Sequence, residues 1–250
     1  MEENKKEINK IKILTFFVVL VIVLILSGFI FGYRIVNGFK IAKVGQLTLE
    51  IPLPDTLIFI DESKKILTTK ENEIVKVSLS PKKHSVIVST DNHYPWKKDF
   101  VVESNGVVKL SPIFVSQNPS GSIVTKNDPE YYKIVSAINK NTPPTNRNPK
   151  KSKDESAELW LEDNTVMVKI GDKIFDVVKP LEDIKNLEFY KDGNEAVVFS
   201  AGNGVYVIEI DKNGPQNFMP IYKGQNPIFT KDNPNYVYII DSGILMQVVI

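Results

Sequence analysis

FYKDGNEAVVFS (Phe189–Ser200) and FTKDNPNYVYII (Phe229–Ile240) align at an offset of 40 residues. One residue shorter, GVYV (Gly204–Val207) matches GILM (Gly243–Met246), and ELWLEDNTVMVKI (Glu158–Ile170) reads as an earlier, more diverged copy. Each unit runs as aromatic strand, Asp-containing turn, apolar strand, glycine turn, apolar strand. A period of about 40 residues marks a repeated supersecondary unit that buries its apolar face against its neighbours. Residues 156–250 are therefore expected to hold two or so antiparallel β units, and the chain to be mainly β. With room for only two or two and a half units, the blades are expected to form a small packing of their own, to pair with another chain, or to be the remnant of a shortened gene.

Upstream, residues 44–115 carry short strand patterns: QLTLEI (46–51), TLIFI (56–60), IVKVSL (74–79), SVIVS (85–89), FVV (100–102) and VVKL (107–110). Alternation with a period of two buries one face and leaves the other in water. The breaks hold turn formers, among them Pro52, Pro54-Asp55, Ser80-Pro81, Asp91-Asn92 and Ser104-Asn105-Gly106. The pattern predicts a small β-sandwich. Residues 116–155 separate the two regions. SQNPSGSIVTKNDPE and NTPPTNRNPKKSKDES lack apolar periodicity and read as linker. Between them Tyr131, Ile134, Val135 and Ile138 recur at helical spacing, predicting a short helix over 129–139 with Asp128 as its cap and Pro129 in its first turn. The helix is expected to dock on a neighbouring domain.

Near the start, ILTFFVVLVIVLILSGFIFGY (Ile13–Tyr33) contains no charged side chain. At 1.5 Å of rise per residue it spans roughly 30 Å, the hydrocarbon thickness of a bilayer. A cleavable signal peptide has an apolar core of about 7–15 residues, whereas this run continues through Phe29, Ile30 and Phe31, so an uncleaved anchor is expected over 13–33. Lys5, Lys6, Lys10 and Lys12 precede it, and Arg34, Lys40 and Lys43 follow within reach. The one-charge bias places residues 1–12 in the cytoplasm and the body outside the cell.

The stretches LPDTLIFID (53–61), LSPKKHSVIV (79–88) and HYPWKKDFVV (93–102) resemble the PEGA domain, with Lys83 and His93 where that family has glycine. The resemblance implies a small surface β-sandwich of a bacterial envelope protein. Residues 156–250 resemble the closing blades of the propeller domains that follow PEGA modules in some such proteins, carried by GNGVYVIEID (202–211), QNFMPIYKG (216–224) and Asn226-Pro227.

Thirty-one basic residues balance thirty acidic ones for a net charge of +1, which supplies no field for nucleic acid. Cysteine is absent, removing disulfides, thiolate nucleophiles and Cys-bound metals. His84 and His93, the two histidines, are read as structural at a strand entry and a turn. Asp163, Asp192 and Asp232 fall at turns of the repeat, where Asp satisfies backbone more often than it binds calcium. Gly202-Asn203-Gly204 lies between strands, not before a helix, and so is no phosphate loop. No catalytic, cofactor or metal residue is expected. Tyr94, Trp96, Trp160 and Tyr206 are the candidate partner contacts, with core packing the stronger reading for Trp96. The sequence is read as a single-pass, non-enzymatic envelope module that binds or scaffolds a wall glycan or another envelope protein, with a propeller-based wall-glycan enzyme or an envelope sensor subunit as alternatives.

Overall fold

The structure, a computed structural model, describes residues 2–36, 40–211 and 214–250. Met1, the first residue of the expected cytoplasmic flank, lies outside them. Strand accounts for 49% of the chain and helix for 13%, so the protein is mainly β.

The chain opens with helix α1 (Glu2–Ile30) and a ribbon of β1 (Tyr33–Val36) and β2 (Lys40–Lys43). There follow β3 (Gly45–Ile51), β4 (Leu57–Ile60), β5 (Lys64–Leu67), β6 (Glu73–Leu79), β7 (Lys83–Ser89), β8 (Trp96–Val101) and β9 (Val107–Leu110). Next come β10 (Gly121–Val124), helix α2 (Tyr131–Lys140) and β11 (Lys150–Lys151). The repeat region supplies β12 (Ala157–Glu162), β13 (Thr165–Ile170), β14 (Lys173–Val178), β15 (Ile184–Phe189), β16 (Ala196–Ala201) and β17 (Gly204–Glu209). It ends with β18 (Phe218–Lys223), β19 (Ile228–Asn233), β20 (Tyr236–Asp241) and β21 (Ile244–Val249).

Two compact units emerge. The first comprises residues 1–50, 74–84 and 100–111; the second comprises 51–73, 85–99 and 112–250. Residues 44–115 thus contribute to both. In the first unit, Lys12–Ile30 of α1 has a mean hydropathy of 3.1 and no buried residue, and it is long and apolar enough to cross a membrane. The helix is not the expected 13–33. Gly32 takes φ +81°, the left-handed conformation that stops a helix, and Tyr33 already belongs to β1. The first unit also holds the sheet β6-β3-β9, in which β3 runs parallel to β9. Val75 and Val77 of β6 are buried while Lys76 and Ser78 are exposed, the alternation the sequence carries. Gly45 admits no larger residue, because a Cβ there would collide with Val102 and the carbonyl oxygens of Glu103 and Gly106.

Besides most of the sheet β5-β4-β7-β8, the second unit contains three four-stranded sheets of the repeat region, ordered β11-β12-β13-β14, β15-β16-β17-β18 and β10-β21-β20-β19. Ala157, Ala196 and Tyr236 open equivalent strands of the three, which is the sequence repeat of about 40 residues made physical. Two-residue hairpins join the equivalent pairs, Glu162 facing Thr165, Ala201 facing Gly204 and Asp241 facing Ile244. Asp163 and Asn164 take φ +47° and +59°, the mirror-image turn that matches strand twist. Leu159, Val166 and Val168 of the first sheet pack with Leu187, Phe189, Val197 and Phe199 of the second in one core.

The 116–155 stretch is not a linker, for it supplies a strand to the first sheet and one to the third. Its Lys150-Lys151 pairs in backbone with Leu159 and Glu158, and Leu161 N–H donates to Pro144 O at 2.8 Å. The sheets built on the repeat number three, not two or so, and β10 comes from upstream to complete the last of them against the C-terminal strand β21. Finally, α2 starts at Tyr131 with Glu130 as its cap residue, since the Asp128 carboxylate is engaged by the N–H and hydroxyl of Thr125 at 2.5 and 3.0 Å. Ile134 and Ile138 of α2 bury against Leu245 of β21, fixing the helix on the third sheet.

Candidate functional site

The C-terminal ends of β11, β15 and β19, which pair with the equivalent strands β12, β16 and β20, meet around a cleft of about 210 Å³. Each delivers a Lys-Asp pair there or just beyond: Lys153-Asp154, Lys191-Asp192 and Lys231-Asp232. Of these only Asp154 is not part of the wall. Its carboxylate instead accepts from the Ser152 and Ser156 hydroxyls at 2.7 and 2.8 Å, which hold its pKa low. Lys150, Lys151 and Glu188 complete the charged lining.

The floor is Glu188, a side chain 2% exposed that pairs with Lys150. Burial pushes its carboxyl above the usual range, against the pull of the Lys150 and Lys231 ammoniums and an Asn141 hydrogen bond. The Lys231 side chain is 12% exposed, donates to the Lys191 carbonyl, and lies 4.0 Å from an Asp192 oxygen. Burial lowers its pKa, and Glu188 and Asp192 oppose that shift. Asp192 accepts from Lys153 Nζ at 2.7 Å, and this hydrogen bond is the main cause of its lowered pKa. Lys191 Nζ sits 5.5 Å from the centre of the Tyr190 ring. Burial lowers the Lys191 pKa, and among the described residues no carboxylate forms an ion pair with it. Tyr190 is itself buried, its hydroxyl donating to Phe114 O at 3.2 Å.

A second cleft of about 330 Å³ opens among Asn141–Thr145, Asn148–Lys150 and Leu187, so Lys150 borders both. Beside it the buried Asn186 ties three elements together. It donates to Asn141 O at 2.5 Å and accepts from Ser200 Oγ and Phe229 N–H, each at 2.9 Å.

The three turn aspartates are not all equivalent. Asp192 and Asp232 line the first cleft, whereas Asp163 sits in the β12–β13 hairpin turn, equivalent to Gly202-Asn203 and Ser242-Gly243 rather than to the other two aspartates. Among the described residues no group of three or more His, Asp or Glu is placed to hold a metal ion. Of the expected partner contacts, Trp96 and Trp160 are 1% and 5% exposed. The Trp96 indole N–H donates to the buried Glu209 at 3.4 Å and that of Trp160 to the exposed Glu162 at 3.3 Å, and both rings are too buried to offer a surface to a partner. Tyr94 is half-buried, and Tyr206, also half-buried, stacks on Phe218 with ring centres 5.1 Å apart. His84 is buried, bonded to Ser80 O at 2.7 Å and stacked on Phe100. His93 bonds to Asp91 O at 2.8 Å.

Glu188 and the cleft lysines were missed by the sequence reading. One signal does point to them: the quoted repeats both read Lys-Asp at the same position, and KSKDES carries it a third time. No known protein family matches the chain, and no curated protein matches its sequence.

Proposed function

We propose that this chain is a membrane-anchored, non-catalytic binding or scaffolding protein of a bacterial cell envelope. Its ligand site is the cleft where β11, β15 and β19 meet. The observation that carries this reading is the threefold Lys-Asp repetition around one concavity, a charged surface built by three separate stretches of chain. Three four-stranded sheets with a repeat of about 40 residues, the last completed by an upstream strand, support reading them as propeller-blade-like units, fewer than the four to eight blades of an ordinary propeller. The PEGA-like order of strand and turn residues in the sequence over 44–115 supports placing the chain at a cell surface. The exposed apolar span Lys12–Ile30 serves as an uncleaved anchor, and the lysines before it keep the N-terminal flank in the cytoplasm.

Bonding among the cleft's charges suits recognition better than catalysis, since Glu188 and Asp192 are both engaged by lysines. The partner is a wall polymer or a second envelope protein. Protease added to intact spheroplasts should digest the body and spare the anchor, and in-cell crosslinking should then capture the partner. A protease-resistant body, or a body released from the membrane by signal cleavage, would contradict the reading.

A further inference from the structure

The first cleft has an unequal charge balance. Its lining brings five lysines together with three carboxylates, in a chain whose overall net charge is only +1. The carboxylates are mostly spoken for. Glu188 takes Lys150, and Asp192 takes Lys153 with Lys231 nearby. Lys191 has no carboxylate partner among the described residues, and Lys151 meets only the exposed Glu155 at 3.6 Å. A concave site with surplus ammonium groups concentrates anions. Its volume of about 210 Å³ falls below the roughly 300–1,000 Å³ of ordinary small-molecule sites, so the occupant is a small group. Lysines arriving from three strands surround a tetrahedral oxyanion with several acceptor oxygens better than they match a planar carboxylate, and lysine is a common point-charge partner of phosphate.

We propose that this cleft binds a phosphate group, with Lys191 and Lys231 as its principal donors and Asp192 as the internal anion that competes with it. The inference rests on reading the cleft as the ligand site. It also accounts for Lys231, a largely buried lysine whose pKa burial depresses, because a bound dianion offsets that cost.

The test is isothermal titration of inorganic phosphate into the full chain in maltoside micelles, at low ionic strength and pH 7 in chloride buffer. Saturable binding is expected with a dissociation constant at or below about 1 mM. Lys191→Met and Lys231→Met should each weaken it on the order of tenfold, and Asp192→Asn should tighten it. Circular dichroism of each variant checks that the fold is intact. A merely structural role for these residues would not move the lysine and aspartate variants in opposite directions. Displacement by a short-chain phosphatidylglycerol would name a lipid headgroup as the source. Displacement by glycerol phosphate alone would name a free or polymer-borne phosphate. No saturable binding by about 20 mM, or unchanged binding in folded Lys191→Met, would overturn the proposal. Absent phosphate binding with an external body would leave the envelope-binding reading standing, while phosphate binding in a chain whose body proves internal would do the reverse.

Discussion

Lys98 of β8 and Glu209 of β17 form an ion pair across 111 residues of sequence, and Lys98→Met should break it at a measurable cost. The two side chains are 3% and 7% exposed, with Nζ and Oε2 3.2 Å apart. Removing one partner of a pair this buried leaves an uncompensated charge and costs about 3–5 kcal/mol. Two other donors soften the loss, since Asn217 Nδ2 and Trp96 Nε1 still reach the carboxylate at 2.7 and 3.4 Å. The second anion on Lys98, Asp211 at 3.0 Å, is 46% exposed and adds little. The low end, about 3 kcal/mol, is therefore expected, which lowers Tm by roughly 6–12 °C in a domain of this size. Lys98→Met with Glu209→Gln should recover much of it, because neither buried charge remains. Calorimetry of the two single variants and the double would settle the coupling. A single-variant cost below about 1 kcal/mol, or strict additivity, would refute the buried pair.

Three other outcomes follow from the packing. Ile138→Ala removes a side chain that is 1% exposed between α2 and the third sheet, so a loss of about 2–4 kcal/mol is expected in denaturant melts. Gly121→Val places side-chain atoms against Gln247 O, where even a Cβ would sit at 2.7 Å, and should speed hydrogen exchange in β10 and β21 together while sparing β12–β13. Asp241 is desolvated, which raises its pKa, but hydrogen bonds from Asn226 and Gln225 N–H and the Tyr222 hydroxyl outweigh this and leave it lowered. Its folded value lies below the unfolded one near 3.9, so its stabilisation is complete above that and is lost as pH falls through the folded value. Asp241→Asn should accordingly flatten the acid limb of the stability curve below about pH 4.

Much of this architecture is legible in residue order. The repeat at Phe189 and Phe229 locates equivalent strands, and alternation marks faces in β6 and β7. The strands that complete two of the sheets are not legible, for a physical reason. β11 consists of two exposed lysines, and Gly121, Ser122 and Ile123 of β10 are exposed. Both join their sheets through main-chain ladders, which leave no hydrophobic period to read. Asp128 satisfies every composition rule for a cap, yet Thr125 competes for its carboxylate. The cleft was hidden differently. Its lysines are scattered over more than 80 residues, each looks like a solvated turn, and only the closure of three sheets brings them to one place.

That closure can be measured directly by zero-length carbodiimide crosslinking followed by peptide mapping of the full chain. Lys153 Nζ and the Asp192 carboxylate are 2.7 Å apart, and Lys150 is paired with Glu188, each link joining β11 or its exit to the β15 region. An intrachain Lys153–Asp192 amide is the predicted product, lost in Asp192→Asn. If Lys153 instead links only to near neighbours such as Asp154 or Glu155, the first and second sheets do not converge and the cleft does not exist.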